Sequence, residues 1–207
     1  MKHITKENNK KTQNLFRRWQ SQGGWNAEEF DNKAKELKQK IKNLLLAEQG
    51  EICCYCEERI TADHCHIEHL KPKGKPEYAS LISSYENILC SCNYAQSCGK
   101  KKDKEIIPVS PLDKNCEDLF TYSGRGKIIG KNQNACDTIR ILNLDSEHFN
   151  IARNKIIETF IESISKFSDI SLLEFDRWIA DYLAQKPFVR FWTTVKYASE
   201  EYRLFFE

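Results

Sequence analysis

Long apolar runs, a strong charge of one sign, and abundant glycine and proline are all missing from this 207-residue chain. No stretch approaches the roughly 18 consecutive apolar residues of a membrane span. The opening Met-Lys-His-Ile-Thr-Lys carries no signal-peptide apolar region, so the expectation is a cytoplasmic protein with no membrane partner. Lysine and arginine total 32 against 30 acidic residues, a net charge of +2, which excludes attachment to nucleic acid by bulk charge alone. Only 8 glycines and 5 prolines are present, so a collagen-like chain is excluded. With 40% hydrophobic and 11% aromatic residues the chain can still build a core, and a wholly disordered protein is excluded. The length fits one ordinary domain or two small subdomains.

Cysteine is what the sequence does have. Of 9 cysteines, seven fall between Cys53 and Cys98; Cys116 and Cys136 lie outside that stretch and have no assigned role. An odd count with no leader is a poor disulfide framework, and clustering in a reducing compartment points to metal. Cys53-x-x-Cys56 follows a helix-ending Gly50 and can bend two thiolates onto one tetrahedral zinc. The second pair comes from 90–98: Cys92 with Cys98 is preferred, and Cys90 with Cys92 is the fallback. A redox Cys-x-x-Cys would need strand–helix flanks that are not here. Cys54 and Cys65 read as packing residues.

Around this centre the chain divides into four parts. Residues 1–25 are a polar arm in which Leu15, Phe16 and Trp19 have the spacing of a short docking helix, with Arg17, Arg18 and Trp25 beside them. Asn26 and Glu29 read as a helix start. Phe30, Ala34, Leu37, Ile41, Leu44 and Leu45 then continue an amphipathic helix to Gly50. In 51–145 helical periodicity is lost: short strands or metal-pinned loops are expected to about Lys104. An irregular stretch with a glycine hairpin over 120–129 is expected after that. Residues 146–207 turn helical. Phe149 to Ile164 keep a helical period, Ser171 to Glu174 form a capping box, and Pro187 reads as the start of a third helix. The aromatics Phe188, Phe191, Trp192, Tyr197, Tyr202, Phe205 and Phe206 read as core, with a partner-docking face as the competing reading.

Between the cysteine groups lies His64-Cys65-His66-Ile67-Glu68-His69. On an extended strand His64, His66 and Glu68 share one face, and Ile67 and His69 the other. A carboxylate beside an imidazole near a strand end suits metal-assisted hydrolysis. The carboxylate binds a hard cation such as Mg²⁺, and the imidazole takes a proton from water. The blander readings are surface strand residues or extra zinc ligands. Downstream, Asn87 precedes Ile88-Leu89-Cys90, where an Asn can fix a loop by bonding its backbone.

The order Cys-x-x-Cys, Glu-His, Asn-Ile-Leu, Cys-Asn, Cys is that of the His-Asn-His (HNH) nuclease module, the ββα-metal fold. Leu45 to Ile60, His66-Ile-Glu-His-Leu-Lys-Pro-Lys, Ser110-Pro-Leu-Asp, Asp137-Thr-Ile-Arg-Ile-Leu-Asn-Leu and the Arg153 region carry a closer likeness. Over about residues 26 to 157 the chain resembles the HNH nuclease subunit of Septu-type and retron-linked anti-phage systems, the PtuB-like family. The resemblance implies an α+β, mainly α fold: a small zinc-stabilised ββα core flanked by an N-terminal helix and a helical C-terminal region. It implies Glu68 as ligand of a catalytic Mg²⁺ or Mn²⁺, His69 as general base, Asn87 as the residue ordering the loop, and His66 as supporting ligand or hydrogen-bond partner. This chain departs from the pattern at Lys100, where related nucleases often have His. A protonated Lys is a poor ligand, so Asn93 or Asp103 is expected in its place. An ABC or SMC-like ATPase is implied as partner, with a retron reverse transcriptase and its RNA and DNA as a further one.

Lys71, Lys73, Lys75, Lys100, Lys101, Lys102 and Lys104 bracket these residues and are expected to meet phosphate, the alternative being solvated loop lysines. DNA is the favoured substrate, and RNA such as tRNA stays open because a water nucleophile needs no 2′-hydroxyl. The reading from another class is a zinc-stabilised nucleic-acid-binding or adaptor subunit whose catalytic site has decayed.

Overall fold

The computed structural model describes residues 1–22, 30, 35–166 and 170–204. The described chain is mainly helical with two small antiparallel hairpins. Helix α1, Lys10–Gln20, is capped by Asn9, whose side chain accepts from the Thr12 N–H, and it buries Phe16 and Trp19 while Arg17 and Arg18 stay exposed. Helix α2, Lys35–Glu48, buries Leu37, Ile41, Leu45 and Leu46 on one face. The helix start expected at Asn26 and Glu29, Ala34, and Trp25 lie outside the described residues, as do Phe205 and Phe206. Phe30 is buried against Trp19 with ring centroids 5.3 Å apart.

Past Gly50 the chain folds back on itself. Gly50, Glu51 and Glu57 all have positive φ, and an isolated bridge pairs Ile52 with Arg59. Strand β1, Cys65–His69, then pairs antiparallel with β2, Ile88–Cys92, matching Cys65 to Cys92, His66 to Ser91 and Glu68 to Leu89. The five-residue helix α3, Cys98–Lys102, follows β2. His64 falls just before β1 rather than in it.

A second hairpin, β3 Phe120–Tyr122 with β4 Ile128–Gly130, turns through Gly126 at φ +78°. The region after it is more regular than expected. Helix α4, Gln133–Leu142, has Asn132 bonded to the Ala135 N–H at its start and Asn143 in the left-handed conformation at its end. The prolines and glycines that argued for irregularity all precede it. Helix α5, Glu147–Ile164, and α6, Leu172–Ala184, follow, the latter opened by the Ser171–Glu174 capping box. Helix α7, Trp192–Arg203, begins five residues after Pro187. Pro187 does not start it because residues 188–191 are tied to the turn after α2: Phe188 N–H donates to Gly50 O at 2.9 Å and Phe191 N–H to Glu57 O at 3.0 Å.

One large core joins α1, α2, the cysteine-rich centre, the second hairpin and Phe191. A second core lies between α5, α6 and α7, around Ile157, Phe160, Phe175 and Val195. Trp192 is buried, and Tyr197 and Tyr202 are partly buried against these cores. No described helix is long and apolar enough to cross a membrane.

Candidate functional site

The fold-back after α2 presents Cys53 and Cys56, the end of β2 presents Cys92, and the start of α3 presents Cys98. Their four sulfurs lie within 4.8 Å of one another and all four residues are buried. Cys56 Sγ and Cys92 Sγ are 3.8 Å apart. A tetrahedral ion with bonds of about 2.3 Å has ligand–ligand edges of about 3.8 Å, so the set fits a zinc-sized ion. Burial opposes ionisation of Cys53 but is outweighed by hydrogen bonds from Cys54, Cys56, Cys92 and Cys98, and its thiol is held well below the ordinary range. Burial and that neighbouring thiolate push Cys56 and Cys98 up. The backbone closes the cluster, since Cys92 N–H donates to Cys53 Sγ at 3.3 Å.

Cys90, the fallback ligand, is not in the group. Its thiol faces the Lys42 carbonyl of α2 at 3.8 Å and interacts with Cys65. Cys54 and Cys65 are buried in the main core, Cys116 donates to Met1 O at 3.4 Å, and Cys136 is exposed.

His66 and Glu68 alternate onto the face of β1 that meets α3. Glu68 is buried, with Oε1 accepting from Tyr55 Oη at 3.1 Å and paired with Lys102 Nζ at 2.9 Å. Its Oε2 is 3.3 Å from His66 Nε2. Burial raises the Glu68 pKa, but His66 and Lys102 outweigh it and hold the carboxyl below its usual value. His66 Nδ1 lies 3.1 Å from Asn93 Oδ1. An amide oxygen only accepts, so Nδ1 carries a proton, and in the neutral ring Nε2 then turns a lone pair toward the carboxylate. Two acceptors facing each other need a cation between them, either a proton or a metal ion. Gly99 leaves the space: a Cβ there would sit 2.2 Å from Glu68 Oε2 and 2.6 Å from His66 Nε2.

His69 faces the other way. Its Nε2 lies 3.0 Å from the Ile82 carbonyl, so that nitrogen donates and Nδ1 keeps a lone pair. Burial lowers its pKa to about 4, and the ring is neutral at pH 7. Phe30 meets it edge-on at 4.6 Å. Asn87 clamps the segment after β1: its Oδ1 accepts from Lys71 N–H at 2.7 Å, and its Nδ2 donates to Lys71 O at 3.0 Å and Leu81 O at 3.1 Å.

His66, Glu68 and His69 open on a cleft of about 500 Å³ that Lys73, Lys100, Asp103 and Lys104 also line. Asp103 is exposed at the end of α3 with φ +46°, and no hydrogen bond ties it to Glu68 or His66 among those described. Lys71, Lys100 and Lys101 are exposed, and Lys73 and Lys75 half-buried. Lys102 is the exception to the expected basic rim. It is 1% exposed and donates to His69 O at 2.8 Å besides pairing with Glu68, so it cannot meet a phosphate at the surface. Tyr55 and Gly99 carry geometry that sequence reasoning passed over. A glycine directly after a cysteine, where close approach of backbone is the usual reason for the residue, was the available signal for Gly99.

No family model matches the chain. It is 30% identical over 149 residues, 66% of this chain and 71% of the relative, to a protein provisionally named an HNH endonuclease of retron Vc95, from Vibrio cholerae serotype O1 biovar El Tor. It is 29% identical over 111 residues to Septu protein PtuB of Bacillus thuringiensis, covering 51% of this chain and 42% of that relative.

Proposed function

Because the chain belongs to the family of the retron Vc95 and Septu PtuB proteins, we propose that it is a metal-dependent HNH endonuclease that hydrolyses phosphodiester bonds as the effector of an anti-phage system. The observation that carries the reading is the Glu68–His66 acceptor pair kept open by Gly99 at the mouth of a lysine-lined cleft, with neutral His69 beside it. In this reading β1, β2 and α3 are the ββα-metal core, and the four cysteines hold a structural Zn²⁺ that binds a region poor in apolar residues.

Glu68 Oε2 and His66 Nε2 would hold Mg²⁺ or Mn²⁺, a role for His66 that the donor geometry favours over Asn93 or Asp103. When bound, that ion supplies charge neutralisation at the scissile phosphate and the leaving 3′ oxygen. Asn93 orients the His66 ring. Lys73, Lys100 and Lys104 receive the phosphate backbone. The Ile82 carbonyl fixes His69 as the tautomer whose Nδ1 accepts a proton from water, and burial keeps that base uncharged at neutral pH. An ABC or SMC-like ATPase, with or without a reverse transcriptase and its nucleic acids, is the proposed partner, and the C-terminal helices are the proposed docking part.

One observation favours a second reading, a decayed nucleic-acid-binding adaptor: Lys102 already places an ammonium on Glu68. The two are separated by cleavage of DNA and of total RNA with Mg²⁺ or Mn²⁺, wild type against His69→Ala, alone and with the neighbouring ATPase. Cleavage lost in His69→Ala supports the nuclease and names its polymer. Binding without cleavage under every condition would favour the adaptor.

A further inference from the structure

The cleft has a neighbour. Asn93, which holds the His66 ring, also lines a second hollow of about 480 Å³ together with His64, Tyr94, Arg59 and Arg190. Tyr94 is 41% exposed, among the largest exposed apolar side chains of the described residues. Its ring does not hang free: it lies 4.7 Å from the ring of His148, itself exposed, and 5.7 Å edge-on from buried Phe149. The short loop that carries it is pinned as well, by Ser97 N–H on Tyr94 O at 3.3 Å and by Asn143 Nδ2 on Gln96 O at 2.8 Å. Consecutive Cα atoms are about 3.8 Å apart, so this fixed ring stands one residue step from the side chain that orients His66.

An exposed aromatic face held rigid from below loses little freedom when a flat ring settles on it. Around the same hollow stand His64, Arg59, which donates to the Gly50 and Phe188 carbonyls, and Arg190, which is paired with Glu58. We propose that Tyr94, backed by His148, is a stacking platform for an unpaired nucleobase of the strand whose phosphate enters the cleft. The ligand is single-stranded nucleic acid, read through the base face that every nucleotide shares. This rests on the nuclease reading and adds the requirement that the strand be unpaired next to the cleaved bond.

The test is binding of fluorescent oligothymidylate, oligouridylate and a DNA duplex to the full chain in buffer without added divalent cation. His69→Ala serves as the cleavage-silent background. Adding Tyr94→Ala should weaken both single strands by about tenfold, with Tyr94→Phe staying within about twofold and the duplex unchanged. An oligonucleotide carrying 5-iodouracil should also photo-cross-link to the peptide containing Tyr94 in the chain that keeps its tyrosine. Unchanged single-strand affinity in Tyr94→Ala overturns the platform and leaves the nuclease reading standing. Failure of the unmutated chain to bind any of the three probes overturns both.

Discussion

Glu68 is the residue on which the site turns, because four groups converge on one carboxylate: Lys102, Tyr55, His66 and the empty α-carbon of Gly99. Lys102→Met leaves that carboxylate buried without its cation, and breaking a buried pair in this way costs about 3–5 kcal/mol. Urea denaturation should show a loss in that range; a loss under about 1 kcal/mol would mean the pair is not closed in solution. Gly99→Ala tests a different part of the same residue's surroundings. The added methyl drives Glu68 Oε2 and His66 Nε2 apart, so metal-dependent cleavage should fall by at least about tenfold, the effect of one misplaced catalytic group. Zinc content should not change. Activity equal to wild type would show that the space over Glu68 is not used.

Among the elements, the β1–β2 hairpin and α3 depend most on the cysteine cluster. Each strand has five residues and α3 has five, too short to be stable alone. Cys92 closes β2 and Cys98 opens α3, so a metal at the four sulfurs joins both to the turn after α2. Purified protein should carry about one zinc per chain, and Cys53→Ala or Cys98→Ala should lose it together with the folded hairpin. Cys90→Ala and Cys136→Ala should keep the metal, which mass spectrometry under native conditions would read directly. A zinc-free chain with intact near-ultraviolet circular dichroism would remove the structural metal.

At the scale of the whole molecule, the N-terminal segment, α2 and β2 meet at one buried cation. Lys6 donates to the Ile88 carbonyl and lies 3.8 Å from Glu48, and its side chain is 7% exposed. Burial lowers its pKa from 10.5 to about 8, against the attraction of Glu48. Between those values the unfolded chain holds a proton that the folded chain has released, so this group's contribution to stability rises with pH from about 8 toward 10.5. Other groups titrate in the same range, so the quantity to measure is the difference between wild type and Lys6→Met. That difference should shift in favour of wild type by up to about 1.4 kcal/mol per pH unit above pH 8 and be flat below it. A flat difference throughout would place Lys6 in solvent.

What could be read in the sequence was whatever depends on short spacing. Cys53-x-x-Cys56, the strand carrying His66 and Glu68 on one face, the glycine hairpin and the capping box at Ser171 are all set by residues a few positions apart, where backbone geometry leaves few choices. Asn87 is singled out by its place before Ile88-Leu89-Cys90 and by the family resemblance, while the Lys71 backbone it bonds lies 16 residues away. What the sequence could not decide was which distant segments meet. Spacing prefers Cys98 and keeps Cys90 as the fallback, and the packing of β2 on α2 turns Cys90 away from the sulfur cluster. Lys102 reads as one more surface lysine in a run of three, yet one turn of α3 buries it on Glu68. Pro187 reads as a helix start, yet hydrogen bonds to Gly50 and Glu57 tie down Phe188 and Phe191, the latter left-handed, and delay α7. Local periodicity records the face a residue occupies, and only tertiary packing determines what stands opposite that face.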